Sequence, residues 1–481
     1  MKCVNTYAVR ITEAYGIFDD TLKVYRYAVM FFVDVITKEW DNISGCKLNE
    51  CINLVEPLTH ETHNTKSPKY NFDKHFYKFP SYYRRAAIKE AYGMVSSYKS
   101  NLQNWIQTPK ATRGKCPQLP EQSDTFPCLY QGNCFVRLDN YTAKIKTYRN
   151  NTWDWVEVKL RKTDVDYINK RCSDRKECAP TLVKRHKVWE LSFPFEHKTT
   201  FIDRALSERI IVSVDMGIIN ACTCSVMTSD GTVVGRHFLK LPAEYDSLTH
   251  ALNDIRRSQK HGSRRMPSKW AKVRNINTDI SRKTAQFITD TAIMYNADVV
   301  VMESLHTRKK KRGGKKQKLH HWRCQYVQGI VENKCHGLCI RISHVCAVNT
   351  SRLEFDGSGT VKRGNESERT KGNYSVCEFS NGKLYNCDLN ASYNIGARYF
   401  IRETLRSIPE RVRLEVEAKA PGLSRRSTCV LSDLNDLCAA LHSSTRGNSE
   451  HTVSGLSGSP MSLKDNRTEQ TAFTAVGSTP L

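Results

Sequence analysis

The sequence contains no C-x-x-C pair, so the usual spacing of a zinc knuckle is missing throughout. No apolar h-region follows a charged N-terminus, so a secretory leader is not expected. Its 18 cysteines, dispersed through 481 residues, therefore read as reduced thiols and not as a disulfide framework. The closest pairs, Cys335 and Cys339 in CHGLC and Cys222 and Cys224 in CTC, fit small buried side chains on a helix and a strand better than metal ligands. No uninterrupted apolar run reaches about 18 residues, so no membrane span is expected. Internal repeats are absent. Acids are outnumbered, with 49 Asp+Glu against 74 Lys+Arg, a formal charge of +25 and a pI near 9.4. Such an excess calls for an anionic partner, and nucleic acid is the class that fits best.

At this length two or three folded units with appendages are expected. VNTYAVRI alternates as a strand does, and DDTLKVYRYAVMFFVDVI then places Leu22, Tyr25, Val29, Phe32 and Ile36 at helical intervals behind an Asp cap. Pro80 opens a second helix whose stripe is Ile88, Ala91, Val95, Tyr98, Leu102 and Trp105, with Arg84, Arg85, Lys89 and Lys99 along its rim. From about residue 112 to 198, short alternating segments between turn residues predict a small β-barrel or sandwich. The first strand, Cys3 to Ile11, could join that sheet, which would make the helical region an insertion.

RIIVSVDMGIINACTCSVMTSDGTVVGRHFL reads as a three-stranded meander with a turn at Asp230-Gly231. A helix from Lys269 to about Tyr295 follows, then strand ADVVVM, a helix over about 321–338 and strand IRISHV. Beyond a polar stretch come the hairpin-like VCEFSNGKLYNC and a helix starting near Asp388. This order is compatible with an RNase H-like α/β fold, which pattern alone does not single out. Past Arg406 the apolar density falls, so the tail, above all past His442, is expected to be mostly disordered.

Three acids punctuate that order. Asp215 ends the first strand, Glu303 ends VVVME, and Asp388 stands where YNCDLNASYNIGARYF turns into a helix. Singly, each could be a solvated strand end or, for Asp388, a helix N-cap. Together they would meet at one edge of an α/β layer, where three carboxylates repel unless a cation lies among them. Hard divalent ions answer that need, and two Mg²⁺ ions about 3.5–4 Å apart would activate a water and stabilise the leaving oxygen of a phosphodiester.

SVDMGI, VVVMES and CDLNASYNIGARY resemble, in order and spacing, the three RuvC nuclease motifs of the TnpB family, the transposon-encoded relatives of compact type V CRISPR effectors. The resemblance is clearest from about Ile210 to Arg402. It implies an RNA-guided DNA endonuclease with Asp215, Glu303 and Asp388 as catalytic, metal-binding acids, Mg²⁺ and a guide RNA as cofactors, and target double-stranded DNA as the other partner. It also implies a multidomain α/β chain, with an RNase H-like (RuvC) nuclease domain, a β-barrel wedge domain and a helical recognition domain. The matching division is residues 1–15 wedge strand, 16–110 recognition, 111–204 wedge barrel, 205–349 RuvC, 350–386 a degenerate zinc-ribbon-like insertion, 387–406 the last RuvC helix and 407–481 tail. Members commonly carry a four-cysteine ribbon in that insertion; here only Cys377 and Cys387 remain, so no zinc is expected.

Candidate nucleic-acid contacts are Arg84, Arg85 and Lys89, the run Arg308, Lys309, Lys310, Lys311, Arg312, Lys315 and Lys316 just after Glu303, and Lys362, Arg363, Arg369 and Lys371 in the insertion. A solvated loop or a localisation tag is the plain reading of that run. A cytoplasmic prokaryotic protein is expected, nucleoid-associated when bound to DNA, as monomer or homodimer. An RNA-guided binder with weak nuclease, and a guide-free RNase H-like transposase or resolvase, remain open.

Overall fold

Trp189, Leu191, Phe193 and Phe195 alternate with polar residues, and in the computed structural model they are the buried face of a strand, β7 (Val188–Lys198). The structure describes residues 2–13, 16–61, 65–185, 187–201, 204–217, 220–305, 323–425 and 427–449. They fall into two compact units, Met1–Ile202 with Glu332–Arg341, and Asp203–Val331 with Ile342–Leu481.

In the first unit β7 pairs antiparallel with β1 (Lys2–Thr12), β5 (Lys176–Glu177) and β6 (Thr181–Arg185). The last residues of β1 also pair with β4 (Thr152–Leu160), and β3 (Thr142–Arg149) and β2 (Phe135–Arg137) extend the sheet beyond it. The first strand thus joins the strands that follow the helices, and the sheet path runs from β2 to β5. Helices α1 (Asp19–Lys38), α2 (Leu48–Thr59) and α3 (Ser81–Gln107) are inserted between β1 and β2. They share one core with the sheet, from Val9 and Ile11 through Tyr25, Phe32 and Ile88 to Ile145 and Leu191. Each such side chain contributes about 1.5–3 kcal/mol of burial.

The five α1 positions named from sequence are all buried, but its cap differs. Phe18 occupies the N-cap without a side-chain bond, and Asp19 and Asp20 lie inside the first turn, where they favour the helix dipole instead. On α3 the stripe is buried at Ile88, Ala91 and Val95 and half-exposed at Tyr98, Leu102 and Trp105. A short helix, α4 (Lys162–Cys172), follows β4.

The second unit is built on a five-stranded sheet. Its strands are β8 (Ile211–Asp215), β9 (Cys222–Met227), β10 (Val233–Leu239), β11 (Val299–Glu303) and β12 (Arg341–Val345), in the order β10-β9-β8-β11-β12. β9 is antiparallel to both its neighbours, and β11 runs parallel to β8. Cys222 and Cys224 are buried on β9. At the expected Asp230-Gly231 turn, Gly231 has φ +85°, and a Cβ there would lie 2.8 Å from Asn435 Oδ1, so only glycine fits.

Two helices, α5 (Pro242–Lys260) and α6 (Pro267–Met294), pack together through Leu248, Ala251, Ile255, Val273 and Ile280. Helix α7 (Cys324–Gly337) precedes β12, and Cys335 is buried on it. A small sheet of β13 (Lys362–Arg363), β14 (Val376–Glu378) and β15 (Leu384–Asn386) leads into α8 (Cys387–Ser407).

The expectation of disorder after Arg406 is corrected by two further helices, α9 (Glu410–Lys419) and α10 (Leu431–Ser449). Val416, Leu423, Leu431, Leu434 and Leu437 are few but regularly placed, and all are buried in one core with α8. Low average apolar content hid an apolar face. Residues 450–481 lie outside the described residues.

Candidate active site

Parallel pairing fixes where the first two acids meet. Val299, Val300, Val301 and Met302 of β11 register with Ile211, Val212, Ser213 and Val214 of β8. One step further on each strand stand Glu303 and Asp215, level at the carboxyl end of the sheet and, by the period of two, on the same face as Val301 and Ser213. Helix α8 covers that face. A Cβ at Gly396 would lie 2.3 Å from Met227 Sδ and 3.2 Å from Ser213 Oγ, so helix and sheet touch there only because the residue is glycine. Ser392, one turn earlier, bonds Ser225 Oγ at 2.5 Å. The helix therefore starts at the carboxyl edge, and Asp388 in its first turn arrives beside the other two acids.

Asp388 is not the helix cap. Asn386 is, accepting from the backbone N–H of Asp388 and Leu389 at 3.0 and 2.9 Å. The Asp388 carboxylate is free for other work and accepts from Asn220 Nδ2 at 2.5 Å.

The rest of the DLNASYNIGAR segment divides by steps of four. Residues 388, 392 and 396 face the sheet, while 390, 394 and 398 hold the chain after β12. Asn390 donates to Leu353 O at 2.8 Å and accepts from Phe355 N at 2.9 Å. Asn394 donates to Thr350 O and Leu353 O at 3.0 and 2.9 Å, and its Oδ1 accepts from Leu431 N at 3.3 Å. Arg398, 3% exposed, donates to the carbonyls of Cys346, Val348 and Cys429. Asn390 and Asn394 belong to the third motif quoted above, but no role is read from sequence for them or for Arg398, although the four-residue spacing signals one helical face. Thr350, held through Asn394, donates to the Glu303 carboxylate.

Burial raises the Asp215 carboxyl well above the ordinary range, the charges of Glu303 and Asp388 add to the rise, and Arg363 opposes it. Burial also raises Glu303, against the Thr350 hydrogen bond and the Arg398 charge. An all-carboxylate donor set crowded in this way matches the hard-oxygen chemistry of Mg²⁺. Among the described residues, however, no three His, Cys, Asp or Glu side chains converge on one ion position. Glu303 accepts from Thr350 and Asp388 from Asn220 through one oxygen each, which leaves both carboxylates further acceptor capacity for an ion.

The match to a family model lies in the first unit. The Aq_aa04 family model matches residues 5–149. The uncharacterized protein aq_aa04 of Aquifex aeolicus (strain VF5) is 30% identical over 154 residues, 30% of this chain and 83% of its own. The chain belongs to the Aq_aa04 family. The Aq_aa04 match spans β1, α1 to α3, β2 and β3, and it stops before all three acids. Among solved structures, a Cas12f1-sgRNA-target DNA complex covers 82% of this chain and 98% of its own at 16% identity and TM-score 0.32. Alicyclobacillus acidoterrestris C2c1 with a single-guide RNA covers 80% and 70% at 10% identity and TM-score 0.38.

Within the Aq_aa04 segment the expected basic rim is partly internal. Arg84 is 5% exposed and its guanidinium lies 3.3 Å from Glu56, so it is a buried ion pair and no surface cation, a correction to its expected phosphate contact. Arg85 shares Glu56 at 3.2 Å but leaves 42% of its side chain in solvent. Lys89 donates to Tyr130 OH at 3.0 Å.

In the second unit Lys362 is exposed and Arg363 half-buried, with its charge felt by Asp215 and Cys387. Arg369 pairs with Glu378 at 3.1 Å, and Lys371 lies 3.5 Å from Glu368. Cys377 and Cys387 are buried together with Val361 and Phe379, and their mutual hydrogen bond raises the first thiol and lowers the second. The run Arg308, Lys309, Lys310, Lys311, Arg312, Lys315 and Lys316 lies outside the described residues. Among those described, no helix is long and apolar enough to cross a membrane.

Proposed function

We propose that the chain is a metal-dependent DNA endonuclease of the RNA-guided kind, related to TnpB and the compact type V effectors. The observation that carries this reading is the arrival of Asp215, Glu303 and Asp388 at one sheet edge from three elements. The strand order β10-β9-β8-β11-β12, three-two-one-four-five in sequence, supports an RNase H-like assignment of the second unit. The three carboxylates would hold the ions, and Asn220, Thr350 and Arg398 would position Asp388 and Glu303. Magnesium, when bound there, would supply the activated water and neutralise the leaving oxygen of the cleaved phosphodiester. Arg363 would draw a phosphate toward the acids.

The first unit would serve as wedge and recognition parts for a guide RNA and the duplex beside the target, and +25 of net charge suits a hybrid gripped along its backbone. The test has two arms on the full chain. A discrete, reproducible RNA should copurify, and with it the protein should cut matching duplex DNA in Mg²⁺, while Asp215→Ala should cut at least about 100-fold more slowly with RNA binding retained. Equal cutting by the variant overturns the site. Cutting without any defined RNA returns the guide-free resolvase reading.

A further inference from the structure

A cavity of about 370 Å³ lies in the second unit between the later turns of α8, the end of β12 and α9, within the range of about 300–1,000 Å³ usual for small-molecule sites. Val345, Ile401 and Leu405 give it an apolar wall, and Arg398, Arg402, Arg406 and Arg413 face it against one carboxylate, Glu417. Arg402 and Arg406 share Glu403 at 2.8 and 3.5 Å and Arg413 reaches Glu410 at 3.3 Å, so these carboxylates offset part, though not all, of the positive charge around the hollow.

Two of these guanidiniums are incompletely bonded. Arg398 is 3% exposed and fixed by its bonds to Cys346, Val348 and Cys429, yet its Nη2 has no hydrogen-bond partner. Arg413 reaches Glu410 through Nη2 at 3.3 Å, while its Nε is buried without a partner. A buried N–H left without an acceptor is costly, and a held guanidinium with a spare edge is what a phosphoryl oxygen binds best. Arg402 is occupied by His344 O, Ser343 Oγ and Glu403, so it contributes charge more than donors.

We propose that this cavity binds a nucleotide, its phosphoryl group among the guanidiniums of Arg398, Arg406 and Arg413 and its sugar or base against Ile401 and Leu405. A bare inorganic anion would leave the apolar wall uncovered. None of the three acids lines the cavity, so the site stands whether or not the cleavage reading does. The nucleotide could be free or part of a strand.

Full-length protein in EDTA, where no cleavage can occur, is titrated calorimetrically with 5′-AMP, with inorganic phosphate and with a short 5′-phosphorylated oligonucleotide. AMP should bind once per chain, and phosphate about tenfold more weakly or worse. Arg413→Gln and Arg406→Gln, at positions whose side chains are 32% and 70% exposed and so tolerant of change, should each weaken AMP about tenfold. Arg411→Gln, on the same helix but 92% exposed and off the cavity, should leave binding unchanged. An oligonucleotide displacing AMP at lower concentration identifies a strand as the source; the reverse identifies a free nucleotide. Absence of binding by all three probes to folded protein, Arg413→Gln binding as wild type, or Arg411→Gln weakening equally would each overturn the proposal.

Discussion

Asp215 is held protonated longer than an ordinary aspartate, first by burial and then by Glu303 and Asp388, with Cys387 adding and Arg363 opposing. A carboxyl raised in the folded state adds no penalty below its unfolded value, near 3.8, and an increasing one as pH climbs above it. Asp215→Asn should therefore raise the melting temperature at pH 7.5 in EDTA by at least about 2 °C, and the gain should vanish by about pH 3.8. Mg²⁺ should stabilise the wild type and not this variant. Melts that show no pH-dependent gain would argue against crowding at the sheet edge. Glu56 offers a sharper contrast between neighbours. Arg84→Ala removes a buried guanidinium while Glu56 keeps Arg85 as its partner, and should destabilise by about 1–3 kcal/mol in urea, whereas Arg85→Ala should cost about 1 kcal/mol or less.

At the scale of elements, α8 does more than any other segment, since it brings Asp388 to the edge, seats Gly396 on β8 and β9, and grips the chain after β12. Gly396→Ala should cost about 1–3 kcal/mol because Met227 and Ser213 must move, measurable as a lower denaturation midpoint. The sequence marks Asp215, Glu303 and Asp388 as ends or starts of elements, because each adjoins an apolar run or a helical stretch, and their joint role is read from the resemblance of the three motifs. The helix α1 was legible from its plain period, down to its buried positions. Its cap was not, since Asp19 and Asp20 suit a cap and a first turn equally well. The roles of Asn390, Asn394 and Arg398 were missed because their partners are backbone carbonyls and N–H groups, which leave no trace in the residue pattern. Arg84 was misjudged because only the fold reveals Glu56 beneath it. The helices α9 and α10 were missed because their apolar residues are regular in spacing yet sparse in number.

For the whole molecule, net charge is the dominant property. Neutralising the basic residues from Arg308 to Lys318 should weaken nucleic-acid binding across all sequences and flatten its dependence on salt, by about one unit of slope for each phosphate no longer neutralised. An unchanged slope would make that run a solvated loop. The bonds from Leu431 to Asn394 and from Arg398 to Cys429 O have a practical corollary. Anyone trimming this gene for compactness would be tempted to discard everything behind the last motif, yet a stop codon before position 431 removes the buttress on which the third acid's helix leans. Such a shortened product should lose cutting with every recognised motif residue intact.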